Sequence, residues 1–251
     1  MSFNYSWTDY CFIILLFFIV VNSILSLRHP TNLRAIERLL MKPFAVSACI
    51  VLLMFFVIGL LDCIHIARSN LDNRNTVLDA ILSPLGSTYE RTFSSPMALN
   101  SYVSEVKMKN TGIETIRGKL TYPKHYLHTL KERNNFIVIQ LYRAIAAASI
   151  IGLFLFGATA ISRRMMVEAV YVKFKTSIHA AWLTCTIVVF MTIFLYGVSR
   201  ELHILGTGKI GQDIFYYTLK SVRTGLVIGI LTTLFTLPFA LFLDNFSIPV
   251  L

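Results

Sequence analysis

Charged side chains are scarce in this sequence. They make up 14% of the 251 residues, whereas an ordinary soluble domain carries about a quarter. Charge is absent altogether from five long apolar stretches, which are Cys11–Leu27, Pro43–Leu61, Ala144–Ser162, Ala180–Val198 and Gly225–Leu243. This distribution argues against a soluble fold and makes the five stretches the first features to explain.

The five uncharged stretches have the length of membrane-spanning helices. Four of them contain 19 residues and the first contains 17. A stretch of 19 residues forms an α-helix about 28 Å long, which matches the hydrocarbon thickness of a bilayer. Backbone polar groups find no water inside a bilayer, so helices are required there. The sequence therefore predicts an all-α membrane protein with about five transmembrane helices and a long extracytoplasmic loop between helices two and three.

The N-terminus lacks the features of a cleaved signal peptide, and the basic residues indicate how the helices are oriented. The first ten residues contain Asp9 and no lysine or arginine, so we expect the first helix to be retained. About one residue in four is Lys or Arg in Arg28–Lys42 and Arg163–His179, against about one in eight in the other flanks. Since cytoplasmic loops are rich in these residues, both segments are predicted to be cytoplasmic and the N-terminus to lie outside.

These helices divide the chain into four predicted parts. Residues 1–62 contain two N-terminal transmembrane helices, and residues 63–143 form the extracytoplasmic loop region. Residues 144–179 contain the third helix and a cytoplasmic loop, and residues 180–251 contain two further helices joined by a loop that faces outside. Within the loop region, Asn75–Leu82 is predicted to form a short helix capped by its first or second residue.

Several functional classes lack support in the sequence. The formal net charge of +10 does not indicate nucleic-acid binding, because the basic residues belong to the loops of a membrane protein. The cysteines form no paired framework, and Cys63-x-His65 and His125-x-x-His128 are bare pairs, so no metal site is expected. No nucleophilic, acid–base or phosphate-loop constellation is present, and the chain is not expected to be an enzyme. No charged residue lies inside a predicted span, which argues against an ion relay.

The run His203-Ile-Leu-Gly-Thr-Gly-Lys-Ile-Gly-Gln-Asp213 separates helices four and five and holds three glycines, an acid, a base and a histidine. Gly206 and Gly211 are expected to serve backbone geometry, through a positive φ or a close approach to a helix. Asp213 is expected to cap the following helix, and the alternative is a ligand for a cationic substrate. For His203, a local hydrogen bond and a direct contact with a substrate or a partner protein both remain open.

The residues that follow this loop are predicted to form an amphipathic helix over Ile214–Arg223. Phe215, Leu219 and Val222 recur on one side of it at helical spacing. Arg223 lies in the last turn, where a cation suits the helix dipole. We expect this helix to lie at the bilayer surface before the chain turns into helix five.

Helix five begins with two glycines four residues apart, Gly225 and Gly229. Small residues at this spacing let two helix backbones approach closely, which favours packing against another helix. The alternative is that glycine is simply common in membrane helices, and the sequence leaves both interpretations open.

At the loop between helices four and five, the sequence resembles a known family. The matching residues follow the pattern His-x-Leu-Gly-Thr-Asp-x-x-Gly-Arg-Asp and are His203, Leu205, Gly206, Thr207, Gly211 and Asp213. This pattern, followed by a helix and a glycine-rich span, is similar to that of the C-type inner-membrane permease subunit of dipeptide, oligopeptide and nickel ABC importers. The resemblance covers Trp182–Leu243, about a quarter of the chain. In addition, Gly59–His65 and Tyr89–Pro96 are similar to the extended N-terminal region of a longer variety of these permeases.

Two residues of the loop depart from the family pattern. Gly208 stands where the family has Asp, and Gln212 stands where it has Arg. An ion pair between these positions is therefore impossible here, and we expect a looser loop if that pair rigidifies the turn in the family. The chain also lacks the Glu-Ala-Ala coupling motif and the later helices of the family, so we expect a truncated or split form of a permease.

The resemblance implies a transmembrane permease subunit that imports di- or oligopeptides across a bacterial inner membrane, with the His203–Asp213 loop facing the periplasm. The implied partners are a second permease subunit, two ATP-binding subunits and a periplasmic substrate-binding protein, beside membrane lipid. The resemblance assigns ATP to the partner subunits, and no cofactor is expected to bind this chain directly. The alternative is a membrane-anchored sensor or assembly protein whose residues 63–143 bind a partner.

Overall fold

The computed structural model describes residues 7–66, 76–109, 112–122, 127–165 and 168–246. Helices dominate this part of the chain. In chain order, the elements are α1 (Trp7–Ser26), α2 (Pro30–Leu40), α3 (Pro43–Cys63), α4 (Val77–Ile81), α5 (Ser83–Gly86), β1 (Asn100–Lys109), β2 (Gly112–Lys119), α6 (Leu130–Met165), α7 (Glu168–Ser199) and α8 (Ile214–Phe246).

Four of the described helices, α3, α6, α7 and α8, are long and apolar enough to cross a membrane. A fifth candidate span exists only if α1 and α2, which meet at an angle of 107°, are counted as one bent helix. The prediction of a mostly helical membrane protein is therefore confirmed in this coarse form, with four or five spans. The chain is compatible with a multi-pass membrane protein.

Helix α3 connects the candidate spans, because it lies against both α7 and α8 while α6 packs on α7 and α1 packs on α8. Helix α7 forms a hydrogen bond with each of its two neighbours α6 and α3. The indole N–H of Trp182 on α7 donates to the carbonyl of Gly152 on α6 at 2.7 Å. The hydroxyl of Thr184 on α7 donates to the hydroxyl of Ser47 on α3 at 2.9 Å. Much of the remaining helix surface is apolar and exposed, which suits contact with lipid or with other helices.

The described residues between α3 and α6 pack together with the α7–α8 loop (residues 200–213) and the first turns of α8, and we call this the extramembrane region. Within it, β1 and β2 pair antiparallel, with a register shift between Asn100 and Ser104. One cluster of buried apolar side chains consists of Leu78, Leu82, Leu85, Tyr122 and Tyr216. A second consists of Leu99, Leu127, Val198, Leu202 and Ile204.

Residues 63–143 are therefore more ordered than the long loop that the sequence predicted, wherever the structure describes them. The apolar side chains of this segment pack against residues far away in the sequence, as Leu78 does in the cluster with Tyr216. Periodicity within the segment cannot reveal such contacts, which is why the sequence indicated only a loop. The short helix expected over Asn75–Leu82 is present as α4, with Thr76 as its N-cap.

The third and fourth spans extend well beyond the uncharged stretches that predicted them. Helix α6 begins at Leu130 rather than Ala144, and α7 begins at Glu168 rather than Ala180. Residues 163–165 and 168–179 of the predicted cytoplasmic loop are consequently helical, and the side of the membrane on which they lie stays a prediction. Charged residues favour water at a helix end but do not end the helix, so a search for uncharged runs finds only its central part.

The separate surface helix predicted over Ile214–Arg223 is also wrong, because these residues are the first turns of the continuous helix α8. Phe215 and Leu219, which were expected to face a bilayer surface, pack against the apolar clusters of the extramembrane region. Val222 is half-buried, and Arg223 points its guanidinium at buried carboxylates. Favourable packing on the extramembrane region thus replaces the expected contact with the membrane surface.

Candidate functional site

The α7–α8 loop folds back onto the segment 90–97, which lies more than a hundred residues earlier in the chain. The Met97 N–H donates to the carbonyl of His203, and the Glu90 N–H donates to the carbonyl of Gly211, both at 2.9 Å. Between these contacts, the Thr207 N–H donates to the hydroxyl of Ser94 at 3.1 Å. The loop is therefore attached to this segment along most of its length.

Two glycines permit this close approach. Gly206 and Gly211 have φ angles of 77° and 78°, in the left-handed region that favours glycine. A Cβ at Gly206 would lie 2.2 Å from the Ser94 carbonyl oxygen, and one at Gly211 would lie 1.6 Å from the Glu90 carbonyl oxygen. Both expectations for these glycines are met, except that the close neighbour is the segment 90–97 rather than a helix.

The turn inside the loop is closed by backbone groups in place of an ion pair. The Gly208 N–H donates to the carbonyl of Gln212, and the Gly211 N–H donates to the carbonyl of Gly208, each at 2.9 Å. The hydroxyl of Thr207 adds a hydrogen bond to the carbonyl of Thr92 at 2.8 Å. The loop is thus well connected without the Asp–Arg pair of the family pattern, and the expectation that it is looser than the loop of the family stays a prediction.

His203 is fully buried and lies between two carboxylates. Its Nδ1 is 2.6 Å from Oδ2 of Asp213, and its Nε2 is 3.7 Å from Oε1 of Glu90. The ring of Tyr122 lies beside the imidazole, with 4.7 Å between the ring centroids. We call these four residues the His203 cluster. Of the two roles left open for His203, the geometry supports the local one, since no surface of this side chain is accessible.

Glu90 joins three segments of the chain within the His203 cluster. Its Oε1 accepts hydrogen bonds from the N–H groups of Thr121 and Tyr122, both at 2.7 Å. The Thr121 hydroxyl donates to its Oε2 at 3.2 Å, and His203 approaches from the α7–α8 loop. Sequence reasoning did not single out Glu90, although it lies in Tyr89–Pro96, where the resemblance to longer permeases was noted.

Asp213 performs two tasks with its two carboxylate oxygens. Oδ1 accepts a hydrogen bond from the Tyr216 N–H at 2.7 Å, so Asp213 caps the start of α8 as expected. Oδ2 contacts the imidazole of His203. Since the residue is 1% exposed, the alternative role as a ligand for a cationic substrate has no access from outside.

The environment favours a charged His203 beside charged carboxylates. Burial by itself would lower the pKa of His203, but the contacts with Asp213 and Glu90 outweigh it and raise the pKa above its ordinary value. Burial by itself would raise the pKa of Glu90, but His203 and the N–H groups of Thr121 and Tyr122 outweigh it and lower the pKa. The contacts of the cluster therefore favour the imidazolium form of His203 over its neutral form, compared with a histidine in water.

A second group of buried charges joins α1, α3 and α8. The guanidinium of Arg223 contacts the carboxylate of Asp9 through NH1, and its Nε lies 3.3 Å from Oδ2 of Asp62. Nε2 of His65 lies 3.8 Å from Oδ2 of Asp9. Asp9 and Asp62 are both fully buried. We call these four residues the Arg223 cluster, and its charges hold the ends of three helices together.

Sequence reasoning missed the Arg223 cluster because its members lie just outside the uncharged stretches. Asp62 follows directly after the second stretch, while Asp9 and Arg223 lie two residues before the first and the last. The absence of charge within the predicted spans was correct for those stretches, but the helices of the structure include these flanking charges. The sequence did contain a usable signal. Acidic Asp9 and Asp62 and basic Arg223 flank three different uncharged stretches, at the ends that the predicted topology places outside.

Asp79 connects α4 to α8 between the two clusters. Its carboxylate accepts a hydrogen bond from the Tyr216 hydroxyl at 2.6 Å and pairs with Nζ of Lys220 at 2.9 Å. Burial by itself would raise the pKa of Asp79, but Tyr216, Lys220 and the Thr76 N–H outweigh it and lower the pKa. The Thr76 hydroxyl in turn donates to Asp62 at 3.3 Å. A continuous line of polar contacts therefore runs from the α7–α8 loop to α3.

The remaining predicted site residues lie apart from these clusters. Leu205 is 43% exposed on the α7–α8 loop, so it is available for contact with another molecule. Gly225 and Gly229 lie on α8, and no atom of another described segment lies within 4 Å of a Cβ built at either position. Neither glycine packs closely against another described helix, so their role in helix packing stays a prediction.

The surface of the extramembrane region has a depression at the α7–α8 loop and another beside β2. One of about 320 Å³ is lined by residues that include Gly208, Gln212 and Tyr217. The other, of about 250 Å³, lies beside β2 and is lined by residues that include Arg91, Ser101, Lys119 and Thr121. Among the described residues, no group of three or more His, Cys, Asp and Glu is arranged to hold a metal ion, and His125 of the bare pair lies outside them.

Comparison with known proteins identifies no relative of the chain. Searches with protein-family models, against curated proteins and against solved structures find no match for the chain.

Proposed function

We propose that the chain is a transmembrane permease subunit of an ABC importer for di- or oligopeptides in a bacterial inner membrane. One observation carries the proposal. The residues that match the permease pattern include those that shape the α7–α8 loop, because Gly206 and Gly211 adopt the required backbone, and Asp213 both caps α8 and contacts His203. Several residues that match the family pattern therefore have a structural role in the same loop, and the match does not consist of unrelated single positions.

In this proposal, the α7–α8 loop forms part of the extracytoplasmic rim of the transport pathway. A substrate-binding protein delivers peptide to this rim, and two partner ATPases drive paired permease subunits between outward-open and inward-open states. ATP shifts this equilibrium because it binds one state better than the other. The His203 cluster supports the role of a rim, since it ties the end of α7 and the start of α8 to the segment around Glu90.

The proposal gives this chain no catalytic role. ATP binding and hydrolysis belong to the two partner subunits, and the chain holds no cofactor directly. A second permease subunit and a periplasmic substrate-binding protein complete the proposed complex. Exposed apolar side chains on the candidate spans, such as Phe154 at 74% and Phe239 at 70%, are compatible with such helix partners and with lipid.

Peptide uptake is the direct test of this proposal. Cells with the intact gene and cells with a deletion of it are compared for uptake of a labelled dipeptide and of the corresponding free amino acid. We expect the deletion to reduce dipeptide uptake at least tenfold while free amino-acid uptake stays unchanged, and expression of the natural chain to restore it. Unchanged dipeptide uptake in the deletion strain would contradict the proposal.

Topology provides a second, independent test. Reporter fusions after Ser101 and after Lys209 are expected to report the periplasm, and a fusion after Glu168 is expected to report the cytoplasm. These positions lie in β1, in the α7–α8 loop and at the start of α7. A cytoplasmic signal at Lys209 would remove the loop from the transport rim and with it the proposed function.

A membrane-anchored sensor or assembly protein is the second candidate. The specific observation in its favour is the packing of the extramembrane region, whose depression of about 250 Å³ beside Arg91 and Lys119 offers a binding surface. This candidate predicts normal peptide uptake in the deletion strain. It also predicts that a partner crosslinks to the extramembrane region in cells that lack any peptide importer.

A further inference from the structure

Helix α2 differs from the other helices of ten residues or more because none of its residues is buried. It covers Pro30–Leu40. A linker of three residues joins it to α1, which ends at Ser26, and a linker of two residues joins it to α3, which begins at Pro43. It lies at the end of α3 opposite to the extramembrane region. A helix of this length without buried contacts gains little stability from the protein itself, so it requires another explanation.

The side chains of α2 separate into an apolar face and a basic face. Leu33, Ile36 and Leu40 follow one another at spacings of three and four, which places them on one side. They remain 47%, 39% and 44% exposed. Arg34 and Arg38 lie four residues apart on another side, and the Nε of Arg38 donates to the carbonyl of Arg34 at 3.3 Å. Such separation is typical of a helix that lies in a membrane interface.

The position of α2 keeps it close to the membrane boundary. It meets α1 at an angle of 107°, so it does not continue the direction of that helix. The linkers on either side span at most about 11 to 14 Å when fully extended, which limits how far α2 can move from the ends of α1 and α3. Arg28 and Lys42 lie in these linkers and add positive charge at both ends of α2.

The single acidic residue of α2 is already paired within the protein. Glu37 lies on the border between the apolar and basic faces, and its Oε1 is 2.5 Å from Nζ of Lys173 on α7. This contact places the charge of Lys173 beside the acidic side chain nearest to the two arginines. Arg34 and Arg38 are exposed, and their charge is left to attract anions.

We propose that α2 is a membrane-surface helix that binds anionic phospholipid headgroups through Arg34 and Arg38 while Leu33, Ile36 and Leu40 enter the acyl-chain boundary. A lipid surface is the occupant that the structure favours, because both ends of α2 are held at helices of the membrane-embedded part and the exposed faces combine apolar and basic side chains. The inference depends on membrane insertion alone and is independent of peptide transport.

The test uses the purified full-length chain in lipid nanodiscs. Amide hydrogen exchange of α2 is measured in phosphatidylcholine alone and in phosphatidylcholine mixed with phosphatidylglycerol. We expect stronger protection of α2 in the mixed bilayer. The double variant Arg34→Gln/Arg38→Gln should lose about 10- to 30-fold of this protection in the mixed bilayer, because each basic residue near an anionic surface contributes appreciably to attraction. Protection of α6 and α7 should stay unchanged, which shows that the variant is folded.

A matched control removes the same amount of charge elsewhere. The double variant Arg117→Gln/Lys119→Gln changes two exposed basic residues of β2 and should leave the protection of α2 as in the natural chain. Equal protection of α2 in both bilayers for the natural chain would overturn the proposal. The same holds if α2 exchanges freely in both bilayers, since that result shows that lipid does not cover the helix.

Discussion

The extramembrane region and the candidate spans are held together in different ways. In the extramembrane region, buried polar side chains contact residues from distant parts of the chain, as His203 does with Glu90. In the spans, hydroxyl groups mostly bond within their own helix, as when Thr186 and Thr192 donate to carbonyls four residues earlier. Along most of their length, apolar packing and a few hydrogen bonds connect the spans, while the buried charges of the Arg223 cluster join α1, α3 and α8 at the end that faces the extramembrane region.

This difference indicates where the fold of the chain is specified. Buried polar contacts require particular partners, because an unpaired charge or donor in an apolar environment is costly. Apolar helix surfaces accept many neighbours, including lipid and other helices. We therefore infer that substitutions in the polar clusters disturb the isolated chain, whereas substitutions on the open faces of the spans affect assembly. The following experiments test that contrast, beginning with the largest expected effect.

The first prediction removes the cation of the Arg223 cluster. In Arg223→Met, the buried carboxylates of Asp9 and Asp62 lose their positive partner. We expect a loss of about 3–5 kcal/mol in the free energy of unfolding, because the buried carboxylates lose most of the positive charge that compensates them. The measurement is unfolding of the detergent-solubilised chain, followed by circular dichroism.

Two further variants serve as controls. One removes a positive charge elsewhere in the chain, and the other also removes the negative charges of Asp9 and Asp62. Lys209→Met removes an exposed charge from the α7–α8 loop and should change little. Combining Arg223→Met with Asp9→Asn and Asp62→Asn should recover part of the loss, because the uncompensated charges are then gone. If Arg223→Met and Lys209→Met have the same free energy of unfolding, the Arg223 cluster does not stabilise the chain. The proposed difference between polar clusters and open helix faces would then be wrong.

The second prediction concerns the glycine that approaches Glu90. Gly211→Ala places a Cβ 1.6 Å from the Glu90 carbonyl oxygen at a φ of 78°, so the loop must move away. We expect a loss of about 3 kcal/mol and faster hydrogen exchange in residues 200–213. Gly208→Ala is the matched control, since its Cβ meets only the Gln212 carbonyl oxygen at 3.9 Å, and it should cost less than about 1 kcal/mol. Similar exchange in the two variants would argue against a tightly packed loop.

The third prediction is a dependence on pH that arises from the His203 cluster. Because the pKa of His203 is raised in the folded chain, its stabilising contribution is present below its unfolded pKa of about 6.5 and is lost as pH rises through the higher folded pKa. Since the pKa of Glu90 is lowered, its contribution is present above its unfolded pKa of about 4.3 and is lost as pH falls through the lower folded pKa. The extramembrane region should therefore be most stable between these two limits.

Replacement of the histidine isolates its part of the pH dependence. His203→Gln should cost about 1.5–3 kcal/mol below neutral pH, through the loss of a charge-assisted hydrogen bond to Asp213. It should also flatten the alkaline side of the profile of thermal midpoint against pH, and weaken the acid side as well, because His203 helps to lower the pKa of Glu90. An unchanged alkaline slope in this variant would show that another group causes it.

The fourth and smallest effect is expected on the open face of α8. Gly225→Ala and Gly229→Ala add a methyl group where no atom of another described segment lies within 4 Å. We expect the free energy of unfolding of the isolated chain to change by no more than about 0.5 kcal/mol. The bulkier Gly225→Leu and Gly229→Leu should weaken co-purification with a partner subunit, if a helix packs here, without affecting the chain alone. A large loss of stability in the alanine variants would place a helix of this chain against that face.

The sequence predicts those parts of the fold that depend on local composition. The uncharged runs identify α3, α6, α7 and α8 because the absence of charge over a bilayer thickness is a property of one continuous segment. The N-cap role of Asp213 and the special backbone of Gly206 and Gly211 are likewise local. These features required no knowledge of distant contacts.

The parts that the sequence did not predict depend on pairs of distant residues. Glu90 and His203 are brought together only by the folded extramembrane region, and no spacing rule connects them. Arg223 was assigned to the last turn of a surface helix because its partners Asp9 and Asp62 lie far away in the sequence. Helix ends were misplaced where charged residues continue a helix beyond its apolar part, as in α6 and α7.

The polar residues at the start of α8 have a mechanical consequence. Asp213, Tyr216, Lys220 and Arg223 recur at spacings of three and four, and they bind in turn the α7–α8 loop, α4 and the ends of α1 and α3. Rotation of α8 by one residue position, about 100°, would break all of these contacts at once. These contacts oppose rotation of α8 about its own axis. We therefore expect a displacement of the far end of α8, near Phe246, to tilt the helix about its first turns.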